Sequence, residues 1–92
     1  MTNDDLAKIV DTTDAWITER TGIKQRHIAD ENELTSDLGI AAARQALIRA
    51  GIDPVDIDLV ICATATPDRT FPATAVTIQA GLGVTKGAAF DI

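Results

Sequence analysis

At 92 residues, 46% hydrophobic and 24% charged, the chain is long enough for one modest, aliphatic core and too apolar to be disordered. Its 8 Lys and Arg against 14 Asp and Glu leave a net charge of -6, which argues against nucleic acid or an anionic membrane as a partner, so an anionic ligand must find a local basic site. One Cys cannot close an internal disulfide, the start Met-Thr-Asn-Asp-Asp is unlike a signal peptide, and no apolar run is long enough to span a bilayer; a cytoplasmic, reducing location is expected.

Asn3 reads as the cap of a short first helix over residues 4–10, with acidic residues in its first turn. Residues 11–26 follow with the only Trp and the densest group of basic residues in the chain. They read as a helix capped by Thr13 and ended by Gly22, leading into a strand over residues 23–29. Trp16 and Arg20 are one helical turn apart and share a face. A flat aromatic beside a guanidinium, with Thr hydroxyls at both ends, suits a ligand carrying both a ring and a phosphate. The competing reading makes Trp16 and Ile17 core anchors, with Arg20, Lys24 and Arg26 as a solvated rim. On composition alone that reading is the stronger one.

A polar loop over residues 30–33 precedes a helix over residues 36–50, capped by Thr35 or Ser36 and ended by Gly51. Its five Ala between positions 41 and 50 allow another element to approach closely. Asp53-Pro54 reads as a cap and first-turn proline of a brief helical turn. Leu59-Val60-Ile61-Cys62-Ala63 is a continuous apolar run, as in a strand buried on both faces. A proline-bearing loop then leads to a helix over residues 72–82, stopped near Gly83, and to a strand over residues 88–92. Strand, helix, strand in succession argues for an α/β sheet with crossover connections.

Other chemistry is weaker. Cys62 lies in the most apolar run, where a thiolate is disfavoured, and reads as packing. His27, the sole His, reads as a strand residue with an ordinary partner. One Cys and one His are too few for a zinc site, and the acidic residues lack a calcium-loop pattern. Gly81-Leu82-Gly83 follows a helix instead of opening one, so it reads as helix termination.

Taken together, Asp11-Thr12-Thr13-Asp14-Ala15-Trp16-Ile17, Arg20-Thr21-Gly22-Ile23, Ala50-Gly51-Ile52, Ala63-Thr64-Ala65-Thr66-Pro67-Asp68, Phe71-Pro72 and Ala89-Phe90-Asp91-Ile92 resemble, in order and spacing, the amino-terminal part of the β-ketoacyl-acyl-carrier-protein synthase III family. The resemblance covers essentially the whole chain. It implies an α/β fold class: residues 1–92 as a partial amino-terminal thiolase-like domain, part of a mixed sheet covered by helices and lacking its first strand. The implied activity is decarboxylative Claisen condensation, in which an acyl group passes from acyl-CoA to an enzyme Cys and malonyl-acyl-carrier protein then attacks. The partners so implied are acyl-CoA as substrate, acyl carrier protein and a second copy in a homodimer, with no cofactor.

By the same resemblance, Trp16 stacks on the adenine of coenzyme A, Arg20 meets its phosphates, and Thr12 and Thr21 line that site. Phe71 reaches across a dimer interface to close the partner's acyl pocket. The family's nucleophilic Cys is expected shortly after Ile92, with its His and Asn later still, so condensation is not expected of residues 1–92 alone. The alternatives are a noncatalytic coenzyme A or nucleotide-binding or structural half-domain, and a ketosynthase III-like secondary-metabolite synthase.

Overall fold

The computed structural model describes all residues, Met1 to Ile92. They form two compact units, Met1–Asp30 and Glu31–Ile92. In the first, α1 (Asn3–Ala7) and α2 (Asp14–Thr21) pack on each other, and a lone antiparallel bridge joins Thr2 to Gln25. The cap of α1 is Thr2, one residue earlier than expected. Its hydroxyl accepts from the Asp5 N–H, while the Asp5 carboxylate accepts in return from the Thr2 N–H, a reciprocal box that satisfies two otherwise orphan donors. Asn3 is thereby left free for another role, described below.

Thr13 caps α2 as expected, its hydroxyl accepting from the Trp16 N–H at 3.1 Å, and Gly22 ends the helix in the left-handed conformation. The strand expected over residues 23–29 is not formed. Its pairing is confined to the Thr2–Gln25 bridge and the backbone bonds on either side of it, from the Asn3 N–H to the Lys24 carbonyl and between Met1 and Arg26 in both directions. His27 accordingly lies outside any strand and is exposed. Period alone could not foresee this, because a strand needs a partner of matching length and here only the first residues supply one.

In the second unit, β1 (Leu59–Cys62) and β2 (Ala88–Asp91) are parallel, with Leu59 opposite Ala88 and Cys62 opposite Asp91. The connection between them carries α4 (Thr74–Leu82), the crossover a parallel pair requires. A longer helix, α3 (Thr35–Ala50), packs on α4, and a 3-10 turn, Pro54–Asp56, links α3 to β1. The two helices interlock reciprocally: a Cβ on Gly39 would strike Ile78, and one on Gly81 would strike Ile40. Close approach therefore rests on glycine facing isoleucine more than on the alanine row. The core of this unit is small, with Ala75, Ile78 and Val84 buried. Leu59 and Ile61 stay about half exposed, at 50% and 48%, so β1 is not covered on both faces within this chain.

The two main helix starts are capped from a distance, where the sequence suggests a local hydroxyl, Thr35 or Ser36, for α3 and a start at Pro72 for α4. Leu34 precedes α3 and offers no side-chain acceptor, and Asp68 takes the Ser36 N–H at 2.9 Å. Thr35 sends its hydroxyl to the Thr66 carbonyl at 2.6 Å. Pro72 lies before α4, not within it, and follows a cis peptide bond from Phe71. The first N–H groups of α4, those of Thr74 and Ala75, are both accepted by the two Asp91 oxygens at 2.8 Å. Asp91 thus ties the end of β2 to the start of α4.

Candidate functional site

Helix α2 carries the only aromatic and cationic side chains that the chain stacks together. The Arg20 guanidinium lies over the Trp16 ring, 4.4 Å from its centroid. One turn of helix separates them, so the pairing follows directly from the sequence spacing. Trp16 is 53% exposed, whereas its neighbour Ile17 is 7% exposed. The helix therefore sends Ile17 into the core of this unit and leaves the indole outside it, so within this chain Ile17 is a core anchor and Trp16 is not. Arg20 makes no ion pair or side-chain hydrogen bond, so its donors remain available beyond the stacked face.

Trp16 and Ile17 also line a groove of about 560 Å³ with Leu6, Val10 and residues 11–13. Thr12 borders it, and its hydroxyl oxygen is buried without a protein partner. A hydroxyl removed from water without a partner is costly, and it is a ready donor for a ligand in this groove. Thr21 is placed differently. Its hydroxyl donates to the Ile17 carbonyl at 2.7 Å and accepts from the Ile23 N–H at 3.1 Å, so its only proton is spent on closing the helix.

Of the other cations nearby, Lys24 is engaged within the unit and Arg26 in part, its Nη1 being buried without a protein partner. Lys24 Nζ donates to the Thr18 hydroxyl at 3.3 Å, and Arg26 Nη2 donates to Asn3 Oδ1 at 2.7 Å. Asp14 lies at the start of the same helix, where its carboxylate is held below the usual range, chiefly by a hydrogen bond from Asn3 and further by Lys24 and Thr18. An ionised Asp14 also complements the positive end of α2. Asn3 itself escaped sequence reading as anything but a cap. It is 1% exposed, and the partners that reveal its role lie 11 to 23 residues away.

In the second unit, Phe71 is 84% exposed on the loop before α4. A separate groove of about 430 Å³ lies between α3, β1 and α4, lined by Ala43, Ala46, Leu59, Ile61 and Ile78 among others. Cys62 is its one reactive group, and burial pushes that thiol up, with the Asp91 and Asp68 carboxylates adding to the effect. A thiol so disfavoured as thiolate is a poor nucleophile, in agreement with its reading as packing. No group of three or more His, Cys, Asp or Glu is placed to hold a metal ion, and no helix is long and apolar enough to cross a membrane.

No protein-family model matches the chain. It is 62% identical, over all 92 residues, to a β-ketoacyl-[acyl-carrier-protein] synthase III of Rhodospirillum centenum, of whose length it spans 28%. Among solved structures, 3-oxoacyl-[acyl-carrier-protein] synthase III from Aquifex aeolicus matches the whole chain at 50% identity with a TM-score of 0.69, the match covering 30% of that enzyme. The priming β-ketosynthase of the R1128 polyketide pathway matches at 39% identity and a TM-score of 0.70, with 28% of its chain covered. The α/β arrangement is accordingly part of the thiolase-like fold of these enzymes.

Proposed function

We propose that this chain, homologous over its whole length to β-ketoacyl-acyl-carrier-protein synthase III, supplies the wall of a fatty-acid-synthesis condensing enzyme that holds the coenzyme A end of an acyl-CoA substrate. The observation that carries the proposal is the Arg20 guanidinium stacked on a half-exposed Trp16 at the rim of a groove. The indole offers an aromatic face to adenine, and the guanidinium, already oriented by the ring, offers several N–H donors to phosphate oxygens. Thr12 adds its unpartnered hydroxyl. Thr21 contributes by fixing the helix end beneath Arg20, with its oxygen lining the site rather than donating to phosphate.

In the whole enzyme these contacts anchor the handle of the acyl-CoA while the thioester is attacked elsewhere. Holding the handle converts the encounter of thioester and nucleophile into an effectively unimolecular step. Cys62 is not that nucleophile, because its thiol is raised and it faces an apolar groove. Transfer of the acyl group to an enzyme Cys, and decarboxylative attack by malonyl-acyl-carrier protein, complete the reaction in this reading. It places the protein in the cytoplasm as a homodimer, with Phe71 closing the partner's acyl pocket, and it calls for no cofactor. The likeness to the R1128 priming ketosynthase favours a second reading, the same handle-binding wall in a synthase of a specialised pathway.

Calorimetric titration of coenzyme A into the parent chain, Trp16→Ala and Arg20→Ala tests the proposal. Each substitution is expected to weaken binding about tenfold or more, the scale of one lost base stack or charged contact. Equally weak binding by all three would remove it.

A further inference from the structure

Asn3 sits at 1% exposure with every polar atom of its side chain engaged. Its amide nitrogen donates to Asp14 Oδ1 at 2.8 Å and to the Ile23 carbonyl at 2.7 Å, and its amide oxygen accepts from Arg26 Nη2 at 2.7 Å. Asp14 is the first residue of α2, and Ile23 follows Gly22, the residue that ends it. One side chain therefore grips the Trp16 helix at both ends. Trp16 and Arg20 lie between those two grips, on a helix of only eight residues, too short to hold itself in water.

We propose that Asn3 is a positioning residue for the ligand-facing pair Trp16 and Arg20, acting through the two ends of α2 and through Arg26. This rests on the coenzyme A reading of the Trp16 face for its consequence, though not for its geometry. The choice of an amide is chemically specific. Two donors are needed, for a carboxylate and a carbonyl, and one acceptor for a guanidinium, and among uncharged side chains of this length only Asn supplies both kinds. A carboxylate at position 3 would keep Arg26 but turn two attractive contacts into repulsive ones. An apolar residue would remove all three contacts at once, leaving Asp14 with its bond from Thr18 alone.

The fold offers its own rescue. In the exchange of Asn3→Asp with Asp14→Asn, the amide at position 14 donates to the carboxylate at position 3, restoring the contact at the start of α2 and retaining that with Arg26. Because Trp16 is the only Trp, its emission reports the helix directly, without ligand.

The experiment measures Trp16 emission and coenzyme A affinity in the intact chain for the parent, Asn3→Asp, and the exchange, at a temperature where far-ultraviolet circular dichroism agrees among them. Asn3→Asp is expected to displace the emission and weaken binding roughly tenfold, and the exchange to bring both most of the way back. A role in general stability alone would lower the melting temperature and leave both readouts unmoved. Folded Asn3→Asp with parental emission and affinity within about twofold of the parent overturns the proposal. If Asn3→Asp does not fold, the exchange decides: parental emission supports the proposal, and displaced emission in a folded exchange variant overturns it. If the parent binds no coenzyme A, the function proposed above fails, while displaced emission in Asn3→Asp that the exchange restores still supports the positioning role.

Discussion

Trp16 and Ile17 are adjacent, both large and apolar, and the fold treats them oppositely: Ile17 is 7% exposed and Trp16 53%. Helix geometry permits this, since consecutive residues point about 100° apart. The difference has a measurable consequence. Ile17→Ala should cost about 2 kcal/mol or more of folding stability, as deletions of buried aliphatic groups do, whereas Trp16→Ala should change stability by well under half of that. Chemical denaturation of both variants checks this, and a larger loss from Trp16→Ala would return the indole to a packing role. The stacking of Arg20 on Trp16 was legible in the sequence because it depends only on the helical repeat, with Arg20 one turn after Trp16. The fates of Thr12 and Thr21 were not legible. Both are Thr flanking one helix, yet one hydroxyl is buried without a protein partner and the other closes the helix end. Only three-dimensional placement separates them.

At the scale of elements, what could be read was whatever is local. The β1 run, the long α3, and Gly22, Gly51 and Gly83 as helix ends all follow from patterns within a few residues. What could not be read was whatever depends on distant partners. Hydroxyls next to α3 looked like caps, yet the acceptors at both main helix starts are carboxylates far along the chain, Asp68 for α3 and Asp91 for α4. The strand expected after Gly22 failed for the same reason, a missing partner of sufficient length. Asp91 is the informative test, because its two oxygens satisfy two N–H groups of α4 while its backbone belongs to β2. Asp91→Ala should lower stability by about 1–2 kcal/mol, the upper part of the range for a lost cap, and Asp91→Asn by less, since one oxygen acceptor survives. Hydrogen exchange at Thr74 and Ala75 should accelerate in Asp91→Ala ahead of exchange at the middle of α4. Uniform acceleration along the helix would contradict a capping role.

For the molecule as a whole, three carboxylates bind their protons less readily than free ones. Hydrogen bonds from the Thr2 backbone and then its hydroxyl, with Lys8, lower Asp5 to about 2. A bond from Asn3 lowers Asp14, and bonds from the hydroxyl and N–H of Ser36 lower Asp68. A carboxylate whose folded value is depressed contributes stability that is fully present above its unfolded value, about 3.9, and is lost as pH falls through the folded one. Stability should therefore be flat above pH 5 and fall steadily from about pH 4 towards pH 2. Asp5→Asn should flatten part of that fall, and thermal melts across the range measure both. An unchanged slope in Asp5→Asn would show that its bonds with Thr2 are not maintained in solution. The family resemblance was legible from short motifs, and the chain carries it over its full length at 62% identity while spanning 28% of that relative. The supporting network beneath the site was not legible, because Asn3, Asp14, Ile23 and Arg26 are brought together only by folding. Receipt of the adenine and phosphate of coenzyme A by the stacked Trp16 and Arg20, as proposed above, has one direct reporter. Trp16 gives the only indole N–H resonance, so a nitrogen–proton correlation spectrum recorded during a coenzyme A titration follows that side chain alone. A saturable shift of this resonance, lost in Arg20→Ala at the same ligand concentration and weakened by added salt, is the expected result. An indole resonance that stays in place while coenzyme A binds elsewhere on the chain would contradict it.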